Sequence, residues 1–485
     1  MTQRDSPRRG SALPALSVAA LTALLSWGSF AFAGVYPWAW QPLLGGAGLI
    51  GISGLVFGRR PSHGVGLVLA LWALCVLCVG AQLLPVSRTT LEAVSPAAIR
   101  LLSEYSLSFA VQTHHAVSIE PGLTTTTLIF ASVLGLFLAG LDRLLSSLVI
   151  ERLTKSTLAI GVLLAVVGIA QRSSPRSPIY GFWYPAGGLS DAFGPFINRN
   201  HFAGWMVMAC GLGLGYFQGL LAEKRPPRTW QSRFVWLGSR EGTRIVLTTF
   251  ALGIMMLATT WSISRSGIAS LVVVIVSSML FARPTGSRSG LVRLARPIVI
   301  SLMLIAGLWR GVDVIAGRFT TPDSLLTRLG AWRDTWSIVR DFPLTGTGMN
   351  TYTVATLFYQ RSNEGVHLAE AHNDYLQLLS DGGLLVAVPV VCAILAAIRV
   401  VRARWTSLPP SVRIGAVQRG AALGLLGIAV QEMAEFSLQK PANAVLFVIL
   451  LAIAMYEPGR SHPSPSRNIL NPTLGGTPTL KPERA

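Results

Sequence analysis

Residues 64–84, GVGLVLALWALCVLCVGAQLL, form an apolar run without a single charged side chain. A helix rising about 1.5 Å per residue crosses the hydrocarbon core of a bilayer, about 30 Å thick, in about 20 residues. This stretch is long enough to do so. Working outward from it, apolar runs of similar character precede it at 12–33 and 39–57. Others follow at 122–141, 156–171, 199–221, 244–262, 265–282, 297–310, 383–399, 420–437 and 441–456. The fold predicted is an all-α polytopic membrane protein of about twelve transmembrane helices.

Composition agrees. Of 485 residues, 51% are hydrophobic and 13% charged, against about 25% charged in soluble domains. The net charge of +19 does not indicate nucleic-acid binding, which requires a basic patch on a soluble face. About two-thirds of the Lys and Arg instead fall in alternate segments between spans, namely the N-terminal arm, 58–63, 141–155, 222–244, 282–296, 399–419 and the tail. That alternation places both termini in the cytoplasm by the positive-inside rule. The four cysteines, Cys75, Cys78, Cys210 and Cys392, all lie in predicted spans. There Cys75 and Cys78 read as small packing residues rather than a redox or zinc pair.

Arg8 and Arg9, followed by an apolar run ending at Ala31-Phe32-Ala33, have the outline of a signal peptide. The run exceeds the usual h-region of about 7–15 residues, so a retained anchor is expected. The divisions read from the sequence are a cytoplasmic arm at 1–11, N-terminal spans with their outer loops at 12–198, a core at 199–400, C-terminal spans at 401–456, and a tail at 457–485. The tail, rich in Pro, Ser and Thr, is expected to be disordered. Three outer segments are long enough for structure of their own: 85–121, 172–198 and 311–382.

The last of these carries most of the chemistry. In 324–341, SLLTRLGAWRDTWSIVRD, apolar residues recur at Leu325, Leu329, Trp332, Trp336 and Val339, predicting an amphipathic helix with Ser324 as N-cap. Its tryptophans suit the membrane interface. Arg328, Arg333 and Arg340 project from other faces, either as solvated charges or as ligands for a phosphate at headgroup level. The stretch DFPLTGTGMNTY at 341–352 reads as a turn. In AEAHNDYLQLLSDGGLL, residues 369–385, His372 stands where a loop enters a helix capped by Asn373 or Asp374 and ended by Gly382–Gly383. A helix N-terminus favours neutral imidazole, the form a general base requires; the plain alternative is a capping or surface histidine.

Further candidates face the same side. INRNHFAGW at 197–205 sets Arg199 and His201 at the mouth of a span, and WSISRSGIAS at 261–270 sets Arg265 at a short turn between spans. Ionisable groups at membrane depth are functional candidates by default. Glu432 and Glu435, near the outer end of the 420–437 span, are read as counter-ions for these arginines. There is no D-x-D, Walker A or GxSxG motif and no convincing metal-ligand set, so no metal site or cofactor is implied.

SISRSG (262–267), RLGAWRDTW (328–336), LTGTGMNTY (344–352) and AHNDYLQLLSDGGL (371–384), in that order, resemble the O-antigen ligase and polymerase superfamily over roughly residues 200–400. NRNHFAG (198–204) also looks like members of it. The resemblance implies a GT-C-like membrane enzyme, an inverting and metal-independent glycosyltransferase of the bacterial inner membrane. Such an enzyme moves a glycan from undecaprenyl diphosphate to a hydroxyl of lipid A–core, another glycan or a protein on the periplasmic face. It also implies roles by motif: Arg265 and Arg328 for the donor diphosphate and His372 for catalysis, with Arg199, His201 and Arg333 as further site members. Membrane lipid is an expected partner and nucleic acid is not. A transporter of lipid-linked glycans is the competing class. It would place charges at the midplane of several spans, whereas here the polar candidates gather at one face.

Overall fold

The computed structural model of the chain describes residues 12–107, 109–172, 178–185, 188–189, 191–223, 230–281, 323–362, 365, 367–407 and 413–459. The arm 1–11, the apolar segment expected at 297–310, the first part of the 311–382 loop and the tail from 460 lie outside them. The elements in order are α1 (Ala12–Phe30), α2 (Pro37–Phe57), α3 (Val65–Ala81), β1 (Pro85–Ser87), α4 (Arg88–Val94), α5 (Pro96–Tyr105), β2 (His114–Ala116), α6 (Pro121–Leu144), α7 (Ser147–Arg172), α8 (Arg199–Glu223) and α9 (Trp230–Leu237). After these come α10 (Arg240–Trp261), α11 (Arg265–Phe281), α12 (Asp323–Asp341), α13 (Tyr352–Tyr359), α14 (Asp374–Ser407), α15 (Arg413–Gln431) and α16 (Pro441–Met455).

Among the described residues, eight helices (α1, α2, α6, α7, α8, α10, α14 and α15) are long and apolar enough to cross a membrane, and α3, α11 and α16 are shorter apolar helices. The chain is a multi-pass helical membrane protein. Three helices differ from expectation, among them α15, which runs Arg413–Gln431 where 420–437 is expected, so that Glu432 and Glu435 lie beyond its end. Helix α7 starts at Ser147, so Glu151, Arg152 and Lys155 sit in its opening turns rather than in a loop. The span expected from 383 is the second part of α14, which starts at Asp374 and breaks direction at Gly383 (φ 56°, ψ −165°) without ending there.

Helices in lipid gain little from hydrophobic burial against one another, so close backbone approach governs their association. The centre of the bundle shows this. Helix α8 is buried at every position from His201 to Phe217 and packs along α15 through glycines four residues apart on each partner. A Cβ at Gly211 would stand 2.4 Å from the Gly424 nitrogen, and one at Gly215 would stand 2.5 Å from the Gly420 Cα. Larger side chains on these faces would force the two backbones apart.

A second layer caps one end of the bundle. Strands β1 and β2 pair antiparallel, Val86 opposite His115, a small exception to the all-α expectation. Together with α4 and α5 they pack on α12 and α13 around Leu91, Ala97, Ala98, Val117, Ile338, Phe342, Tyr352, Ala355 and Ala371. The 85–121 segment and the described part of the 311–382 loop therefore share one core instead of folding separately.

Within this layer α12 turns differently from the expected stripe. Its packed face carries Ala331, Asp334, Thr335 and Ile338, while Leu326, Leu329 and Trp336 stay exposed. The helix also begins at Asp323, so Ser324 lies inside its first turn. Of the stripe read from periodicity, Leu329 and Trp336 are exposed while Trp332 and Val339 are half-buried; the buried face is built largely of small and polar groups held by hydrogen bonds. Thr335 Oγ1 and the Tyr352 hydroxyl are 2.8 Å apart, and the Asp334 carboxylate accepts from the backbone nitrogens of Arg361 (3.1 Å) and Ser362 (2.9 Å).

Gln82 joins cap to bundle. Its Nε2 donates to the carbonyls of Thr345 (2.7 Å) and Asp381 (2.9 Å), and its Oε1 accepts from Met349 N (3.0 Å). The TGTG stretch is indeed a turn, with Gly346 (φ 65°) and Gly348 (φ 111°) in left-handed conformations. A Cβ on Gly346 would lie 2.3 Å from the Asp381 carbonyl carbon, so glycine is required there for the turn to seat against the break in α14.

Candidate functional site

The site lies where the cap meets the bundle and is built from four chain segments. The first is the turn Ser262–Ser264 joining α10 to α11. Ile263 takes φ 55°, an uncommon conformation for a β-branched residue, and Ser264 Oγ accepts from Gly267 N (3.2 Å), capping α11. Arg265 is therefore the first residue of a helix whose start is fixed. Ser266, beside it, donates to Glu435 Oε1 (3.3 Å).

The second segment is α12, which presents Arg328. Its Nη2 donates to Glu435 Oε1, and the side chains are 23% and 1% exposed. One helical turn further on, Trp332 Nε1 donates to the Ala371 carbonyl (3.1 Å), pinning the chain just before His372.

The third segment is the entry to α14. Asn373 Oδ1 accepts from Leu376 N (3.0 Å), so Asn373 is the cap, one of the two residues expected in that role. Ala371 N donates to Gln377 Oε1 (3.0 Å). Between these tethers His372 has φ 50°, a left-handed conformation costing about 1–3 kcal/mol that persists only where the surroundings impose it. Its Nδ1 faces Glu435 Oε2 at 3.8 Å.

The fourth segment follows α15 and supplies Glu435 and Phe436. The Phe436 ring lies edge-on between His372 (centroids 5.0 Å apart) and His201 (4.7 Å), and Lys440 Nζ sits 4.6 Å above it. Glu435 is the junction of the site. Arg328 and Ser266 bond to one of its oxygens and His372 approaches the other.

The structure thus brings Arg328, His372 and the Arg265–Ser266 turn together on one buried carboxylate. The other expected members are placed differently. Arg199 pairs with Asp191 (3.1 Å) in the 178–198 segment. His201 is 3% exposed, behind Phe436, and neither ring nitrogen has a hydrogen-bond partner. Its carbonyl accepts from Asn443 Nδ2 (3.0 Å) and the preceding Asn200 carbonyl from Gln431 Nε2 (2.7 Å), which seats the start of α8 between α15 and α16. Arg333 is exposed on α12 and forms no ion pair among the described residues.

Of the two glutamates expected as counter-ions, Glu435 meets an arginine, and among the described residues Glu432 forms no ion pair with one. Glu432 accepts from Ser437 N (2.7 Å) through Oε2, and its carbonyl accepts from Asp374 N (3.1 Å). Asp334 and Asp341 are committed to the cap, the latter through the Tyr359 hydroxyl (2.6 Å). Phe436, Lys440 and Gln82 escape a reading of the sequence alone. Gln82 carries a usable signal, being the lone strongly polar residue in the apolar run 64–84; Phe436 and Lys440 have none, because only the turn after α15 brings them to His372.

Residues 250–391 match the family model of the O-antigen ligases. The match takes in Arg265, Arg328, Arg333 and His372 and stops short of Glu435; it is narrower than the 200–400 resemblance and leaves out the NRNHFAG stretch. No curated protein matches the chain.

Proposed function

With an O-antigen ligase superfamily domain at residues 250–391 as premise, we propose that the protein is an inverting, metal-independent glycosyltransferase. It transfers a glycan from undecaprenyl diphosphate to a hydroxyl acceptor on the periplasmic face of the inner membrane. The observation that carries this reading is the convergence of Arg328 and His372 on Glu435, beside the turn bearing Arg265.

The acceptor oxygen attacks the anomeric carbon opposite the diphosphate as its proton passes to His372 Nε2, the nitrogen turned away from Glu435. The bond from the anomeric carbon to the phosphate oxygen breaks, and its electron pair leaves with undecaprenyl diphosphate. That leaving group needs charge stabilisation more than protonation, which two guanidiniums provide by charge-assisted hydrogen bonds. The positive-inside distribution supports a periplasmic setting for this end of the bundle, with the exposed Leu326, Leu329 and Trp336 of α12 suited to headgroup level. The absence of a D-x-D motif fits a mechanism in which arginines take the role of a cation.

The test is glycan profiling of lipopolysaccharide and exopolysaccharide in a deletion strain complemented with wild type or His372→Ala. Loss of capped lipid A–core with accumulation of polymerised lipid-linked glycan identifies a ligase. Chains cut to a single repeat identify a polymerase. Unchanged profiles, or full complementation by His372→Ala, remove the transferase reading and favour a transporter.

A further inference from the structure

We propose that Glu435 is a switchable counter-ion through which donor binding activates the base. Before the donor arrives it neutralises Arg328; when the donor diphosphate takes Arg328, the carboxylate turns to His372. The proposal rests on the transferase reading and adds to it a regulation of the site.

The two oxygens of Glu435 are in different situations. Oε1 accepts from Arg328 and from Ser266 (3.3 Å). Oε2 is buried with no hydrogen-bond partner, and so is the His372 Nδ1 that faces it at 3.8 Å. An N–H···O hydrogen bond requires about 2.7–3.2 Å, so the contact is short of closure by under about 1 Å. Buried polar atoms are seldom left without partners, because desolvation is then uncompensated. Two such atoms facing each other mark a bond made in another state of the site.

The identity of the competing partner indicates what brings that state about. Arg328 comes from α12 in the cap, and its guanidinium is the group read as a diphosphate ligand. A diphosphate bears more charge than one carboxylate and accepts two parallel N–H bonds from a guanidinium. Its arrival draws Arg328 from Oε1 and leaves Glu435 with a charge buried in a site of low polarity. Facing its free oxygen, itself without a partner, is Nδ1 of His372. Closing that bond fixes the tautomer with hydrogen on Nδ1 and the lone pair on Nε2, as a carboxylate does for the imidazole in hydrolytic triads. When Nε2 then takes the acceptor's proton, the imidazolium forms against a carboxylate already in place. Lys440, committed to Glu370 at 3.4 Å, and His201, across the Phe436 ring, flank this pair; Arg265 adjoins Ser266. Without donor, Glu435 stays with Arg328 and His372 lacks its partner, which guards against activating an acceptor when no glycan is bound.

The role is one of positioning, so the test separates binding from turnover. Full-length protein in nanodiscs is assayed for undecaprenyl diphosphate affinity, donor KM and kcat, as wild type, Glu435→Gln and Glu435→Asp. Glu435→Gln is expected to bind undecaprenyl diphosphate as tightly as wild type or more so, Arg328 having lost its competitor. Its donor KM does not rise, while kcat falls about 100-fold, within the range for loss of an effective general base; Glu435→Asp recovers part of kcat. An unchanged kcat overturns the switch, and so does weakened binding together with a raised KM, which marks a simple brace. A structure of wild type bound to undecaprenyl diphosphate tests the switch without any variant. Arg328 on phosphate and His372 Nδ1 within hydrogen-bond distance of Glu435 is expected, and an unmoved Arg328–Glu435 pair overturns the proposal. Wild type that binds undecaprenyl diphosphate and transfers no glycan overturns the transferase reading; active wild type with an indifferent Glu435→Gln overturns the switch alone.

Discussion

Helix α15 has a cluster of charges near each end, and the two are built on opposite plans. At its start Arg413 reaches Glu151 of α7 (2.9 Å) and Glu223 of α8, while Lys155 shares Glu151 (2.6 Å). Both terminal nitrogens of Arg413 are held, and only its Nε lacks a partner. Beyond its other end Glu435 is held through one oxygen, with the second oxygen and His372 Nδ1 both unmatched. In the first cluster every charge named has an opposite charge within bonding distance, and the pairs tie three helices together. The second has left-handed residues at His372 and Ile263 and leaves facing atoms of Glu435 and His372 without partners, which is the basis of the proposal that a ligand completes it. Ion pairs occur at both ends; what differs is that two unmatched polar atoms face each other in the second cluster and not in the first.

Substitution on the two sides sharpens this contrast. The largest effect is expected from Arg265→Ala, a loss of about 10²–10³ in transfer, comparable to removal of one preorganised donor to a developing anion. Thermal unfolding of the detergent-solubilised protein should stay at the wild-type temperature. Wild-type turnover by this variant would show that the second cluster is another brace. Arg413→Ala should do the reverse. Its pairs are partly solvated, so the cost falls between the few tenths of an exposed pair and the 3–5 kcal/mol of a buried one, about 1–2 kcal/mol. It should register as a lower unfolding midpoint with turnover per folded molecule unchanged, and a fall in turnover would erase the distinction between the ends. The smallest effect is that of EDTA on transfer, where no inhibition is expected because guanidiniums take the leaving charge; inhibition reversed by added Mg²⁺ would contradict that chemistry.

Much of the architecture is visible as length and pattern. The run 64–84 predicts α3 because an uncharged segment of that length has few alternatives to a helix in lipid, and the same argument finds the other described apolar helices, with ends up to nine residues away at α7 and α14. The turn at Gly346–Gly348 and the cap at Asn373 are legible because their chemistry is local. The facing of α12 is not: periodicity locates its apolar stripe, but which face packs depends on the partner, here a cap whose core receives Ala331, Thr335 and Ile338. Nor does the spacing of Glu432 and Glu435 show that the first turns to Ser437 and the second to Arg328, since a tight turn separates them.

The site follows the same division. Arg265, Arg328 and His372 stand out one at a time, because a charge or a histidine at the edge of an apolar run is conspicuous in any sequence. Arg199, His201 and Arg333 stand out equally and are set elsewhere, against Asp191, behind Phe436 and in solvent. Hydrophobic length and local turn chemistry act over a few residues and can be read along the chain. The convergence of residues 266, 328 and 372 on the carboxylate of Glu435 depends on glycine faces that let α8 and α15 touch, on Gln82 holding the cap to the break in α14, and on turns that aim each side chain. Those contacts join positions up to 299 residues apart, and their energies exist only once the helices are packed.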